Sequence, residues 1–165
     1  MQIEIDTPQH MAELGAQIAR ELKAGDLVAL NGELGAGKTT LTRGLGDELG
    51  VRGSVTSPTF VLARTHRRIG GEAPLVHVDA YRLGSAAELD DLDIDWSASI
   101  VVVEWAAGML DGVAEHWIEI DIRRPMGASV DVAAVADIAD GEEPVEPRVV
   151  TITGHGSRWR DLRLI

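Results

Sequence analysis

Residues 32–39 read GELGAGKT, a complete G-x-x-x-x-G-K-T pattern that lies between an apolar run and a segment with helical periodicity. Residues 27–30 are Leu-Val-Ala-Leu, which is typical of a short buried strand. The helical periodicity after the pattern is carried by Leu41, Leu45 and Leu49. Because this pattern holds phosphate when a strand precedes it and a helix follows, residues 32–39 are predicted to form a phosphate-binding loop.

The residue types of the phosphate-binding loop suit a polyphosphate. Gly32, Gly35 and Gly37 leave no side chain between the main chain and the phosphate oxygens, and they tolerate positive φ angles. The N–H groups of the loop and of the following helix N-terminus then point partial positive charge at those oxygens. Lys38 adds a full charge for the β- and γ-phosphates, and the Thr39 hydroxyl is placed to coordinate Mg²⁺.

Length, composition and charge narrow the class of protein. At 165 residues the chain is most simply one domain, residues 1–165, and it is long enough to bury a core. No apolar run approaches the roughly 20 residues of a membrane helix, and the N-terminus lacks a basic-then-apolar signal segment. We therefore expect a cytoplasmic location and no membrane partner. Since the chain has no cysteine, disulfides, thiolate zinc sites and cysteine catalysis are excluded.

The net charge of the chain indicates whether it could bind nucleic acid by itself. The formal net charge is -12, whereas a protein that binds the phosphate backbone of nucleic acid electrostatically normally presents a basic face. Any contact with nucleic acid is therefore expected to depend on a basic face that a partner supplies.

Two carboxylates, Asp79 and Glu104, are predicted to face the phosphate-binding loop. Each ends an apolar run: residues 75–79 read LVHVD, and residues 100–104 read IVVVE. The second run is typical of a central parallel strand that is buried on both faces. Since ligands lie beyond the carboxyl ends of strands in parallel α/β sheets, one carboxylate would hold Mg²⁺ and the other would orient the attacking water.

The remaining segments complete an α/β fold. Residues 3–6 are predicted to be an edge strand, and Thr7 followed by Pro8 is typical of a helix start. Residues 60–65 are predicted to pair with residues 75–79 as a hairpin.

The C-terminal half adds two strands to this outline. Residues 117–123 alternate as in a half-exposed antiparallel strand, and residues 148–153 are predicted to be the last strand. The predicted fold class is α/β, a single P-loop NTPase-like domain. It has a mostly parallel central sheet with antiparallel strands added from the 60–79 and 117–153 regions.

Three segments leave their role open. Residues 56–60 read TSPTF and are either a turn or a hydroxyl-rich switch that contacts the γ-phosphate or its magnesium. A basic cluster near the predicted hairpin is either a solvated hairpin end or a contact for phosphate or a partner; it consists of Arg64, His66, Arg67 and Arg68. Residues 137–147 are strongly acidic and are interpreted as a solvated loop that need not be ordered.

Four motifs in order resemble those of a known family. They are GELGAGKTT at 32–40, TSPTF at 56–60, HVDAYRL at 77–83 with Ala-Glu-Leu at 87–89, and VEW at 103–105. The first alone marks a great many NTPases, but all four at these spacings are specific. Over roughly residues 5–124 the chain resembles the bacterial TsaE (YjeE) ATPases of tRNA threonylcarbamoyladenosine biosynthesis.

The resemblance implies a role for individual residues. ATP phosphates are wrapped by residues 34–40, namely Leu34, Gly35, Ala36, Gly37, Lys38, Thr39 and Thr40. Thr39 and Glu104 ligate Mg²⁺, Asp79 serves hydrolysis, and Trp105 lies by the nucleotide. Ser57 and Thr59 form the switch-like segment, and a nucleotide contact near Thr7 or Pro8 is a weaker implication. Lys38, Asp79 and Glu104 are thus the predicted catalytic residues.

The resemblance also implies partners and a reaction. The family's ATPase works with a threonylcarbamoyl-transferase subunit and its inactive paralogue, which modify the adenosine next to the anticodon in tRNAs reading ANN codons. Its activity depends on those partners, and tRNA is reached only indirectly through them. The resemblance offers no template for residues 126–147, so no function is carried over to them.

Three other functions remain possible for a phosphate-binding loop of this kind. A small-molecule kinase shares the loop and the size, but no separate lid segment is apparent. A regulatory GTPase is disfavoured because the sequence contains no Asn-Lys-x-Asp guanine-reading element. A scaffold that holds ATP without cleaving it stays open, since the loop alone binds without hydrolysing.

Overall fold

The fold is built around one seven-stranded sheet. A computed structural model of the chain describes residues 1–58, 61–110, 112–124, 146–162 and 164. Its elements in chain order are β1 (Gln2–Ile5), α1 (Pro8–Glu21), β2 (Leu27–Gly32), α2 (Lys38–Leu49), β3 (Ala63–His66), β4 (Leu75–Asp79), α3 (Ala86–Asp90), β5 (Ile100–Glu104), β6 (Trp117–Arg123) and β7 (Arg148–His155). Short 3-10 turns follow β4 and β7, at Ala80–Arg82 and Ser157–Trp159.

The sheet has a parallel centre and antiparallel margins. Its strand order is β1-β7-β6-β2-β5-β4-β3. The four central strands β6, β2, β5 and β4 run parallel to one another. The outer strands β3, β7 and β1 are antiparallel to their neighbours. The predicted α/β class with a mostly parallel sheet is therefore confirmed.

Two strands, β4 and the segment 117–123, have a parallel neighbour that the sequence did not predict. The hairpin of β3 and β4 is present, but β4 is itself parallel to β5 and belongs to the parallel centre. The segment 117–123, predicted as antiparallel, pairs parallel with β2 on one side and antiparallel with β7 on the other. Its alternation arises because one side of β6 is buried and the other half-buried, which reports burial and not direction.

Helices α1 and α2 cover the side of the sheet on which the phosphate-binding loop closes. One buried cluster joins them to the strands; it includes Leu14, Ile18, Leu41, Leu45, Val28, Leu30, Val102 and Ile120. A second cluster lies on the opposite face and joins Ala29, Val101 and Val103 to Leu89 of α3 and to Leu110. Strands β2 and β5 contribute to both clusters, which explains their nearly continuous apolar sequences.

Local signals placed the ends of several elements correctly. The Thr7 hydroxyl accepts a hydrogen bond from the N–H of His10 at 3.1 Å, and Pro8 is the first residue of α1. The edge position of the first strand is also confirmed, because among the described residues β1 pairs with no strand other than β7. In the part of the chain that the structure describes, no helix is both long enough and apolar enough to cross a membrane.

Close packing of α1 on α2 leads to a first prediction. Gly44 faces the backbone of Ala12, and a Cβ atom at position 44 would overlap the Ala12 carbonyl. Gly44→Ala should lower the free energy of unfolding by about 1–3 kcal/mol despite the better helix propensity of alanine. Urea denaturation measures this, with Gly70→Ala as the control because a Cβ at Gly70 meets nothing closer than 3.9 Å. Unchanged stability of Gly44→Ala would contradict the packing argument.

Candidate active site

The phosphate-binding loop turns directly from β2 into α2. Gly32 ends β2, and Lys38 is the first residue of α2. Gly35 and Gly37 have φ angles of 75° and 112°, which side chains rarely tolerate, so the turn requires glycine at both positions. Among the described residues, no side chain caps the N-terminus of α2. Its N–H groups therefore remain available to an anion.

Lys38 is buried against its own loop. Its Nζ donates to the carbonyl oxygens of Gly32 at 2.8 Å and Glu33 at 3.1 Å, and it lies 4.1 Å from the centre of the Trp105 ring. Burial lowers the pKa of Lys38, while the negative charges of Glu104 and Asp79 oppose that shift. The ammonium group is thus held by neutral carbonyl acceptors that phosphate oxygens could replace.

The two predicted carboxylates meet at one end of the sheet. Asp79 and Glu104 are the last residues of the neighbouring parallel strands β4 and β5, and they lie opposite each other in register. Glu104 also lies opposite Leu30 of β2, two residues before the phosphate-binding loop begins. Both side chains are largely buried, with 5% of each residue exposed.

Each carboxylate has one oxygen already held by the protein. Oδ1 of Asp79 accepts a hydrogen bond from the backbone N–H of Tyr81 at 3.0 Å. Oε1 of Glu104 lies 2.8 Å from Nε2 of His77. These contacts leave the second oxygen of each carboxylate able to accept a further partner.

A cavity of about 470 Å³ brings most of the predicted site residues together. Its lining comprises the loop residues Leu34, Gly35, Gly37, Lys38, Thr39 and Thr40, together with Ser57, Asp79, Tyr81, Glu104 and Trp105. The hydroxyl of Thr39 and the two carboxylates offer hard oxygen ligands, which is the donor chemistry that Mg²⁺ prefers. The residues present therefore fit a magnesium ion bound together with a polyphosphate.

Among residues 34–40, which are predicted to wrap the phosphates, Ala36 alone does not line this cavity. It is buried, with 2% of the residue exposed, and it lines a second cavity of about 230 Å³ on another side of the loop. Thr7 and Pro8 line that cavity too, together with Gly35, Gly37 and Thr40. The structure thus brings the start of α1 next to the phosphate-binding loop, as a nucleotide contact near Thr7 or Pro8 would require.

Some predicted segments fall partly outside the described residues. Ser57 lines the larger cavity, but Thr59 of the switch-like segment lies outside the described residues. Most of the acidic loop predicted at 137–147 also lies outside them.

The basic cluster extends toward the end of β4 opposite Asp79, since His66 pairs with Leu75 and Arg64 pairs with His77 in the middle of the strand. Arg68 donates from Nε to the carbonyl of Leu49 at 2.6 Å and forms an ion pair with Glu72, so it serves to hold the hairpin. His66 is buried at the end of β3, and its burial lowers the pKa of its imidazole.

The sequence reasoning missed two residues of the site. His77 carries the hydrogen bond to Glu104; strand alternation from Asp79 could have placed it on the same face, since the two residues are two positions apart. Arg124 donates from Nη2 to the carbonyl of Gly35 at 3.2 Å. No local signal predicts the second contact, because it requires β6 to lie beside β2.

The chain is similar to proteins of one family. The family model described as "Threonylcarbamoyl adenosine biosynthesis protein TsaE" matches residues 5–129. A protein named tRNA threonylcarbamoyladenosine biosynthesis protein TsaE from Streptomyces coelicolor is 55% identical over 152 residues, covering 90% of this chain and 93% of the relative. A protein of the same name from Mycobacterium tuberculosis is 43% identical over 129 residues, covering 73% and 77% of the two chains.

A solved structure extends the similarity to the fold. A crystal structure of Bacillus subtilis YdiB superposes with a TM-score of 0.68 at 26% sequence identity. The match covers 96% of this chain and 88% of that one. The sheet and its helices are therefore shared over nearly the whole length.

The contact between Lys38 and Trp105 gives a second prediction. Phosphate oxygens that replace the Gly32 and Glu33 carbonyls should draw the ammonium away from the indole, so adding Mg·ATP should change tryptophan emission. Trp105→Phe should abolish the change in a fluorescence titration. Trp117→Phe is the control, because Trp117 stacks on His155 outside this cavity. An unchanged emission response to Mg·ATP in Trp105→Phe would contradict this prediction, because it would show that a different tryptophan produces the change.

Proposed function

The chain belongs to the TsaE family, and we propose that it is a Mg²⁺-dependent ATPase that acts with a threonylcarbamoyl-transferase complex. The complex would form N6-threonylcarbamoyladenosine next to the anticodon of tRNAs reading ANN codons. Its partners would be the transferase subunit and its inactive paralogue. The observation that carries the proposal is the cavity in which Lys38, Thr39 and the carboxylates of Asp79 and Glu104 converge.

Binding of the ATP phosphates would use the main chain and one cation. The N–H groups of the phosphate-binding loop and of the first turn of α2 face an anion with the positive end of the helix dipole. Lys38 would exchange two neutral carbonyl acceptors for charged phosphate oxygens. This exchange favours binding because phosphate oxygens carry net negative charge and attract the ammonium group more strongly than neutral carbonyl dipoles do.

The oxygen ligands of the cavity would hold the metal and prepare water. Thr39 and Glu104 would ligate Mg²⁺, which when bound neutralises negative charge on the β- and γ-phosphates. Asp79 would orient the attacking water through the carboxylate oxygen that Tyr81 does not hold. Glu104 is assigned to the metal because its strand adjoins β2, whereas the strand of Asp79 is one position further away.

Dependence on partners is consistent with the open mouth of the cavity. Leu34 and Tyr81 line the cavity, yet 87% and 70% of their surfaces are exposed. A partner that covers these apolar side chains would also exclude water from the phosphates, which strengthens the electrostatic interactions there.

The route to tRNA and the organisation of the chain belong to the same proposal. With a net charge of -12, the chain would reach tRNA only through its partners, in the cytoplasm.

Residues 1–165 would act as one domain, since β1 and β7, near the two ends of the chain, pair in the same sheet.

Measurement of ATP hydrolysis tests the proposal directly. Phosphate release should rise when the transferase subunit and its inactive paralogue are added, and transfer of phosphate to a small acceptor should not occur.

Lys38→Ala should abolish hydrolysis and greatly weaken ATP binding, because it removes the cation placed for the β/γ-phosphates. Lys23→Ala is the matched control, since Lys23 is exposed and is the other lysine of the sequence. Undiminished turnover in Lys38→Ala would remove the loop from the mechanism, and phosphorylation of an acceptor would favour a kinase.

Substitution of the two carboxylates should impair different steps: metal binding for Glu104 and hydrolysis for Asp79. Glu104→Ala should lose the increase in nucleotide affinity that Mg²⁺ produces, because it loses a metal ligand. Asp79→Ala should still bind Mg·ATP but hydrolyse it about 10²- to 10⁴-fold more slowly. Binding isotherms in Mg²⁺ and in EDTA, with single-turnover rates, measure both effects. If Asp79→Ala removes the Mg²⁺ effect and Glu104→Ala keeps it, the two roles are reversed.

A further inference from the structure

The side chain of His77 lies fully buried behind the carboxylate of Glu104. His77 is in the middle of β4 and has no exposed surface. Its Nε2 lies 2.8 Å from Oε1 of Glu104, and both groups are inside the protein. His77 does not line the 470 Å³ cavity, so it reaches the site only through Glu104.

The strand register makes this contact. Asp79 lies opposite Glu104, and His77 lies opposite Val102, so His77 and Glu104 are diagonal neighbours on the same face of two parallel strands. Both strands are buried along their whole length, which leaves the two side chains little freedom to separate. The imidazole and the carboxylate are therefore held together by the backbone ladder itself.

The second ring nitrogen shows which atom carries the proton. Nδ1 of His77 is buried, and it has no hydrogen-bond partner among the residues that the structure describes. An ionised carboxylate can only accept a hydrogen bond, so Nε2 carries the proton and donates a hydrogen bond to Glu104. The unpaired Nδ1 is then a lone pair, whereas the opposite tautomer would bury an unpaired N–H and set two acceptors against each other.

We propose that His77 is a positioning residue that fixes the carboxylate of Glu104 for Mg²⁺ coordination. By donating to Oε1, it selects one orientation of a flexible side chain and leaves Oε2 as the oxygen available in the cavity that Glu104 and Thr39 both line. This inference rests on the proposed function, because the metal role of Glu104 is part of it. Hydrogen bonds to a metal-ligating carboxylate are worth about 10- to 100-fold in metal affinity.

A purely structural role for His77 is less consistent with its surroundings. An imidazole with an unpaired buried nitrogen carries a desolvation cost that an apolar side chain of similar size would avoid. That cost is understandable when the other nitrogen orients a functional group. Stability alone would instead favour a leucine or phenylalanine at position 77 in this buried strand.

Three substitutions separate the hydrogen bond from simple filling of space. His77→Gln places an amide N–H near the position of Nε2 and keeps the donor to Glu104. His77→Asn keeps a polar amide, but the shorter side chain ends near the position of Nδ1 and does not reach Glu104. His77→Leu fills the space without a donor. Thermal unfolding of each variant establishes that the fold is retained.

The measurement is the affinity for ATP in Mg²⁺ and in EDTA, with calorimetry as the readout in place of activity. Affinity in EDTA should be unchanged in all three variants, because the contacts of Lys38 and the loop N–H groups remain. The increase in affinity that Mg²⁺ produces should fall by about 10- to 100-fold in His77→Asn and His77→Leu. His77→Gln should retain most of it.

Each other outcome overturns the inference in a distinguishable way. A wild-type Mg²⁺ effect in His77→Asn and His77→Leu would show that Glu104 needs no positioning by His77. Loss of the effect in His77→Gln as well, with normal affinity in EDTA, would exclude the hydrogen bond as the cause. Loss of affinity in EDTA would assign His77 to the general structure of the cavity. Absence of any Mg²⁺ effect in the wild-type protein would refute the metal role of Glu104 and this inference together.

Discussion

The parallel pairing of β2 with β5 is the constraint on which the candidate site depends. The backbone hydrogen bonds of this pair set Leu30 opposite Glu104, so a carboxylate lies beside the strand that leads into the phosphate-binding loop. The adjoining pair of β5 and β4 then places Asp79 next to Glu104. A shift of one residue in either register would turn these side chains to the opposite face of the sheet. The convergence of charges around the cavity is thus a property of the sheet and not of the loop alone.

Burial of these charges carries a cost that the local arrangement offsets. Lys38, Asp79 and Glu104 are each at most 6% exposed, and an isolated buried charge is strongly unfavourable. The lysine lies near both carboxylates, and its ammonium has two carbonyl acceptors and one aromatic ring as neighbours. These contacts are therefore part of what makes the buried charges tolerable.

One residue of the candidate site has a strained backbone conformation. Trp105 has a φ angle of 61°, a region that a bulky residue enters at a cost of about 1–3 kcal/mol. Its N–H donates to the carbonyl of Leu30 at 3.0 Å, which continues the ladder between β5 and β2 past Glu104. The turn brings the indole over Lys38 and against Tyr81, whose ring centre is 5.2 Å away. Strand β5, which ends just before Trp105, is paired with β2 on one side and with β4 on the other. This pairing fixes the position of Trp105 and so maintains the strain.

Features that depend on residues close to one another along the chain were predictable from the amino-acid sequence. The phosphate-binding loop, the Thr7 cap of α1 and the carboxylates at two strand ends follow from local conformation and apolar periodicity. Three features could be seen only in the folded protein: the direction of β6 relative to β2, the contact of Arg124 with the loop and the pairing of His77 with Glu104. An alternating pattern shows which face of a strand is buried but carries no information about the strand beside it. Strand order and register arise from packing of the whole chain, so contacts between distant residues appear only when the sheet is assembled.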